Sequence, residues 1–367
     1  MAIPLANDLA DFVRDDGRPP RAIVVAIPAR DEAERIGPCL TALARQTLLP
    51  TAVVLLLNNC TDMTEKIARG IHLPFRGDIQ TVTLPALNAN AGTARRLAMD
   101  RAAVLAGCDG IVLTTDADAI VPPDWIALNL CALSVGADAV CGRAIIHPEE
   151  AALIPLHLHE DDSRECRYIN LLDEIFAALA PDPGDPMPRH TEASGASLAV
   201  TVSAFLRAGG MPDVSSGEDR AMIESLQRID ARIRHDPAIG VTVSGRITGR
   251  AAGGMADTIR RRMVRQDEFT DESVEPAGDA FRRADFRRRA RMVWTGECID
   301  PDLAADLQLA RSSLSDHLAG KFFGAAWAHI ERNSPMLRRR RVRFADLPRH
   351  IEYAQELLLL LKARVLG

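Results

Sequence analysis

The chain has 367 residues, 47% of them hydrophobic and 26% charged, with a formal net charge of −6. That length suits one large domain with an appendage, or two domains. The acidic balance gives no global reason to expect nucleic-acid binding, and no run approaches the roughly 18 apolar residues that span a bilayer.

In chain order, residues 1–20 read as a short helix and a linker, with no basic segment leading into an apolar core. No cleaved secretory signal is therefore expected. An apolar β-branched strand over 22–27 follows, and Pro28-Ala29-Arg30-Asp31-Glu32 is expected to open a helix. A second strand at 53–57 ends at Asn58-Asn59, and Thr61-Asp62 can cap the helix running through Ile67 and Ala68. A third strand spans 79–84, an Ala- and Arg-rich helix 91–106, a fourth strand 110–115 and a fifth 139–145. Pro122-Pro123-Asp124-Trp125 begins a helix between the last two strands. This alternation implies an α/β fold with a mostly parallel sheet and helices on both faces.

The later half reads differently. A helix is expected at 160–180, then a Pro/Asp loop at 181–188 and a Gly/Ser-rich stretch that turns β-like by residue 202. Gly217-Glu218-Asp219 opens a helix to 232, and a last strand covers 239–243. Beyond Asp257 the pattern is helical and rich in arginine. The expected organisation is an arm (1–20), a domain of two halves (21–143 and 144–258) and a helical extension (259–367). The runs Arg260-Arg261-Arg262, Arg287-Arg288-Arg289 and 338–341 read as solvated helix faces. Peripheral contact with an anionic membrane, an acidic partner or a second subunit stays open. The seven cysteines are scattered without a C-x-x-C pair, as expected of reduced thiols in a cytoplasmic protein.

The chemistry concentrates at Asp116-Ala117-Asp118, directly after the fourth strand. Ligands of open α/β sheets bind beyond the carboxyl ends of the strands. Two carboxylates there can hold a hard divalent cation, Mn²⁺ or Mg²⁺, which in turn holds a diphosphate. Asp118 is the expected direct ligand, with Asp116 a second ligand or a contact to ribose or water. Farther on, Ser244-Gly245-Arg246 and Arg250-Ala251-Ala252-Gly253-Gly254 combine arginines with glycines ahead of a helix, a pattern suited to a phosphate or an anionic acceptor.

Six segments in order carry a family resemblance: Val24 through Glu32, Asn58 through Asp62, Gly92-Thr93-Ala94-Arg95-Arg96, Asp116-Ala117-Asp118, Ser194-Gly195-Ala196-Ser197 and Gly217-Glu218-Asp219. Over roughly residues 21–260 the chain resembles the family 2 glycosyltransferases, which have the Rossmann-like GT-A fold. The resemblance implies a metal-dependent, non-processive transferase moving a sugar from a nucleotide-diphosphate donor to an acceptor hydroxyl. It implies inversion with Asp219 as general base, or Glu218 as the working residue. Pro28, Ala29, Arg30 and Glu32 would line the nucleoside pocket. Asn58 stands where the family often has an aspartate reading the base, so the usual uridine donor is put in doubt. Arg95 is a candidate contact to phosphate or base. Ser194 and Gly195 would line the acceptor site, with His190 facing acceptor or metal. The family's processive Q-x-x-R-W motif is absent. A retaining enzyme similar to glucosyl-3-phosphoglycerate synthases and a non-catalytic nucleotide-sugar binder are the alternatives. A sugar-1-phosphate nucleotidyltransferase is disfavoured, because the first strand is not followed by a Gly-rich loop.

Overall fold

The structure is a computed structural model that describes residues 21–85, 90–247, 249, 254–265 and 267–366. The arm expected at 1–20 lies outside them. The chain divides into two compact units: Met1–Leu153 with Glu192–Leu226 and Ala231–Arg260, and Ile154–Thr191 with Gln227–Asp230 and Arg261–Gly367. Residues 154–191, expected in the second half of the main domain, thus belong to the unit that holds the C-terminal helices.

The elements run β1 (Ile23–Ala29), α1 (Ile36–Ala44), β2 (Ala52–Asn58), α2 (Thr64–Gly70), β3 (Arg76–Val82), α3 (Ala91–Ala106), β4 (Ile111–Thr114), α4 (Trp125–Ser134) and β5 (Ala139–Ile146). They continue through α5 (Pro148–Ala151), α6 (Leu156–Leu179), β6 (Leu198–Thr201), α7 (Val202–Arg207), α8 (Glu218–Arg228), β7 (Ile233–Val243) and α9 (Met255–Val264). The last are α10 (Ala277–Trp294), α11 (Leu303–Asp306), α12 (Arg311–Leu318), α13 (Phe323–Asn333) and α14 (Leu347–Leu366). No helix among the described residues is long and apolar enough to cross a membrane.

In the first unit seven strands form one sheet in the order β3-β2-β1-β4-β6-β5-β7. β1 pairs in parallel with β2 and β4, and β2 with β3. β6 is antiparallel to both β4 and β5, and β5 is parallel to β7. Side chains alternate between faces along a strand, and here both faces are dry. Val25, Ile27, Val53 and Leu55 pack on one side with Ile36 and Leu40 of α1 and Trp125 of α4. Val24, Ala26, Val54 and Leu56 pack on the other with Ala94, Ala98, Met99 and Ala102 of α3. Burial on both faces explains the near-continuous apolar strands.

The helix expected to open at residues 28–32 starts only at Ile36. Asp31 sits in the left-handed region at φ 52°. Its Oδ1 accepts the Thr61 N–H at 2.7 Å and the Asp62 N–H at 3.3 Å. Asp62 reciprocates by accepting the Ala33 N–H at 3.0 Å, so the 31–35 segment is tied to the loop after β2 and is not wound into the helix. Asp62 also accepts the Thr64 N–H at 2.9 Å, at the start of α2.

The second unit is helical. One core gathers Tyr168 and Ile175 of α6 with Ala277, Ile351, Ala354 and Leu358. Another gathers Phe286, Ala290, Leu303, Phe323, Trp327 and Ile330. Several arginines from the basic runs are engaged within this unit. Arg261 and Arg262 reach Asp267 at 2.8 and 2.9 Å, Arg289 holds Asp300 and Asp306, each at 2.7 Å, and Arg340 holds Asp279 at 2.7 Å.

Gly92, in the first turn of α3, lies against residues 214–215, and a Cβ there would meet the Val214 carbonyl oxygen at 1.9 Å. Gly92→Ala is therefore expected to destabilise the protein by about 1–3 kcal/mol through overpacking, read as a lowered midpoint of thermal unfolding. An unchanged midpoint would show that residues 214–215 give way freely.

Candidate active site

The parallel strands β1, β2 and β4 bring Arg30, Asn58 and Asp116 to one edge of the sheet. Arg95, only 6% exposed, comes from the second turn of α3 and fills the space behind that edge. Its Nε donates to Glu218 Oε1 at 2.9 Å, and its Nη2 donates to Asp116 Oδ1 at 2.5 Å. Its Nη1 donates to Thr114 Oγ1 at 2.9 Å and to the Gly195 carbonyl at 3.0 Å. Burial by itself would lower the guanidinium pKa, but Asp116 and then Glu218 outweigh it and hold the pKa above its ordinary value. Gly195 must be glycine for this seat, since a Cβ would meet Arg95 Cζ at 2.5 Å. Arg95, expected to touch a phosphate or a base, is instead spent on four protein acceptors and positions both acidic motifs.

A second arginine crosses the other side. Arg246 forks onto Glu32, with Nη1 to Oε2 at 2.6 Å and Nη2 to Oε1 at 2.5 Å, and Nη2 also lies 3.2 Å from Asp118 Oδ2. Glu32 is fixed in turn, its N–H donating to Thr64 Oγ1 at 2.8 Å. Glu150 holds the approach to Arg246 by accepting Ser244 Oγ–H at 3.0 Å and the Gly245 N–H at 2.5 Å. Backbone bonds between Ile120 and Thr242, at 2.7 and 3.1 Å, fasten the segment after Asp118 to β7. Burial, and next the charge of Asp116, push the Asp118 carboxyl up to about 7 against the pull of Arg246.

Asp219 lies in the first turn of α8, where free backbone N–H groups favour a carboxylate. Its Oδ1 accepts the Arg220 N–H at 2.8 Å and its Oδ2 the Gly195 N–H at 3.1 Å. Burial and the neighbouring Glu218 nevertheless raise its pKa above the ordinary value, the Arg220 N–H opposing them. Glu218 itself is buried on Arg95.

Asn58, at the end of β2, is 2% exposed, and its Oδ1 has no hydrogen-bond partner among the described residues. Asn59 takes the Leu84 N–H and carbonyl, at 2.9 and 3.0 Å, and so fixes the segment after β3. Ala29 and Ala117 are buried, while Pro28 and Arg30 are half-buried at the edge. Ser194 Oγ accepts the Ala196 N–H at 3.3 Å. His190 is buried but belongs to the second unit. Gly254 stands just before α9, its carbonyl accepting the Thr258 N–H at 3.1 Å; Arg250 and Gly253 lie outside the described residues. The buried Cys39 thiol donates to the Asp116 carbonyl at 3.4 Å. Burial, then Asp118 and Asp116, raise its pKa far above the ordinary thiol range, so it stays protonated.

The roles of Thr114, Glu150 and Arg35 escaped the sequence reading. Thr114 alone carried a signal, two residues before the acidic pair; Glu150 and Arg35 meet at 2.8 Å across 115 residues, which no local pattern shows.

Glu32, Asp116, Asp118, Glu218 and Asp219 set five negative charges against Arg95 and Arg246, leaving three uncompensated when all are ionised. The residues therefore fit a hard cation at Asp116 and Asp118. No group of three or more metal-ligating side chains converges among the described residues. A cation here would take its other ligands from diphosphate and water, as Mg²⁺ and Mn²⁺ do.

Residues 24–187 match the model of the family described as glycosyl transferase family 2. Over that stretch the chain is similar to the family 2 glycosyltransferases. A search of curated proteins returns no match. Among solved structures, TarS 1-349 of S. aureus in complex with UDP matches with 13% identity and a TM-score of 0.44, covering 93% of this chain and 88% of that one. Glucosyl-3-phosphoglycerate synthase from Mycobacterium tuberculosis, in complex with Mn²⁺, UDP and phosphoglyceric acid, matches with 18% identity and a TM-score of 0.42, covering 70% and 81%. Mannosyltransferase PcManGT from Pyrobaculum calidifontis, in complex with GDP-Man and Mn²⁺, matches with 17% identity and a TM-score of 0.42, covering 98% and 92%. At these values the likenesses carry no inference about donor or acceptor.

Two outcomes follow from the charge network of the site. Arg95→Met leaves Glu218 buried without its partner and is expected to cost about 3–5 kcal/mol. Arg95→Lys should not rescue it, because one ammonium cannot serve the fork. Urea unfolding measures both, and a lysine variant as stable as wild type would refute the hub. For Asp118 the folded chain binds the proton more tightly than the unfolded chain. Its contribution is therefore full below about pH 4 and is lost as pH rises through about 7. In metal-free buffer Asp118→Asn should melt several degrees above wild type at pH 8, with the gap shrinking toward pH 5. Equal melting at both pH values would contradict the raised pKa.

Proposed function

We propose that this transferase moves one sugar from a nucleotide-diphosphate donor to an acceptor hydroxyl, with a divalent cation and with inversion. The observation that carries the reading is the single guanidinium of Arg95 holding Asp116 and Glu218 together. It holds Asp116, of the Asp116–Asp118 pair, beside a second acidic pair that ends in Asp219, which supports the reading.

In this reading Asp116 and Asp118 hold the cation, which supplies positive charge to the departing diphosphate. Asp219 accepts the proton of the acceptor hydroxyl. That oxygen attacks the anomeric carbon, the bond from this carbon to the diphosphate breaks, and the nucleoside diphosphate leaves with the electron pair. The raised pKa of Asp219 suits it to receive a proton. The unpartnered Asn58 Oδ1 accepts an N–H from the nucleobase. Uracil and guanine both offer such a donor, so this contact selects the edge and not one nucleotide.

Purified protein with Mn²⁺ and a panel of nucleotide sugars tests the reading by donor turnover, which a chelator should abolish. Asp219→Asn is expected to lower kcat by about 100-fold or more with donor affinity unchanged. NMR of the product should show an inverted anomer. Wild-type turnover by Asp219→Asn, or a retained anomer, would remove Asp219 as the base and favour the retaining alternative. Donor binding without any turnover would favour the non-catalytic binder.

A further inference from the structure

We infer that Arg246 is a resident countercharge that makes cation binding at Asp118 depend on the donor diphosphate. The inference rests on the donor-and-cation reading above and goes beyond it by assigning Arg246 control of the order of binding.

The frame holds Arg246 in place. Glu150 grips Ser244 Oγ and the Gly245 N–H, and Arg35 grips Glu150 at 2.8 Å. The Ile120 and Thr242 backbones pair in both directions, so the chains leading to Asp118 and to Arg246 are fastened side by side. Within this frame the guanidinium makes two unequal contacts. The fork on Glu32 is bidentate, at 2.5 and 2.6 Å. The contact to Asp118 is a single approach of 3.2 Å from a nitrogen that already serves Glu32. Arg246 can give up the second contact and keep the first.

That asymmetry has a consequence for the cation. Bound at Asp118 without diphosphate, a dication would lie next to a guanidinium that Glu32 keeps in place. Like charges at such range repel strongly where water is scarce, and Asp118 and Glu32 are both largely buried. A diphosphate reverses the sign. Its oxygens lie between the two positive charges, and they offer Arg246 the charge-assisted bonds it loses at Asp118. Arg95 cannot substitute, since its guanidinium is committed to Thr114, Gly195, Asp116 and Glu218. Arg246 thus opposes the cation alone and favours cation and diphosphate together. By linkage, the cation strengthens diphosphate binding by the same factor.

Electron paramagnetic resonance of free Mn²⁺ tests this on the full chain, titrated with Mn²⁺ alone and with Mn²⁺ plus UDP or GDP. Wild type should bind Mn²⁺ weakly alone and more tightly with a diphosphate. Arg246→Gln should bind Mn²⁺ alone about tenfold or more tightly than wild type, with the gain from diphosphate reduced. Glu150→Gln, which loosens the loop without touching the carboxylates at the cation site, should move the same way by a smaller factor. Circular dichroism checks that both variants are folded. If wild type binds Mn²⁺ with a diphosphate but Arg246→Gln binds Mn²⁺ alone no better, the countercharge role is wrong and the cation reading stands. If no protein binds Mn²⁺ under any condition, both fall.

Discussion

A buried guanidinium must find acceptors for its donors, and at Arg95 that requirement organises the edge of the sheet. Its four bonds reach the end of β4, the acidic pair after it, the loop before β6 and the first turn of α8. The farthest of them, Glu218, lies 123 residues from Arg95 in sequence. Removing any one acceptor leaves a charge with fewer partners in a space that admits little water, so the pieces hold one another in register. Gly195 supplies a carbonyl to the network and, by lacking a Cβ, the room for it.

Arg246 is the counterpart with the opposite property. Arg95 is buried and bonded to four protein acceptors, whereas Arg246 is partly exposed and shared between two carboxylates. The first behaves as scaffold and the second as a movable charge. Between them Asp118 is buried beside Asp116 and Glu32, and burial first, then those charges, raise its pKa. A site that binds a cation and a diphosphate needs both features: carboxylates held in place, and charge that is relieved only when ligands arrive.

Much of the frame was legible in the sequence because its signals are local. The apolar runs at β1, β2 and β4 announce buried strands, and the helix expected at 91–106 matches α3 as observed, with Asn90 capping it through the Thr93 N–H. Other features depend on partners far along the chain. The turn at Asp31 exists because Thr61 and Asp62 donate to its carboxylate, so a helix read from Pro28 onward begins late. β6 has four residues and follows a Gly/Ser stretch, and only its neighbours β4 and β5 make it an antiparallel insert in a mostly parallel sheet. At the site, the acidic motifs stood out by residue type and spacing. The role of Arg95 did not, because an arginine on a helix reads the same whether it turns to a ligand or to its own protein. Glu150 gave no sign at all, its task being to hold a loop 94 residues away.

The central claim is that Arg95 builds the site from within while Asp116 and Asp118 face the ligands. Anomalous diffraction from crystals grown with Mn²⁺ and a nucleoside diphosphate tests it most directly. The account predicts a manganese peak on Asp118 or bridging Asp116 and Asp118, with the Arg95 guanidinium still on Asp116, Glu218, Thr114 and the Gly195 carbonyl. A peak elsewhere, or an Arg95 side chain turned out onto the diphosphate, would contradict it.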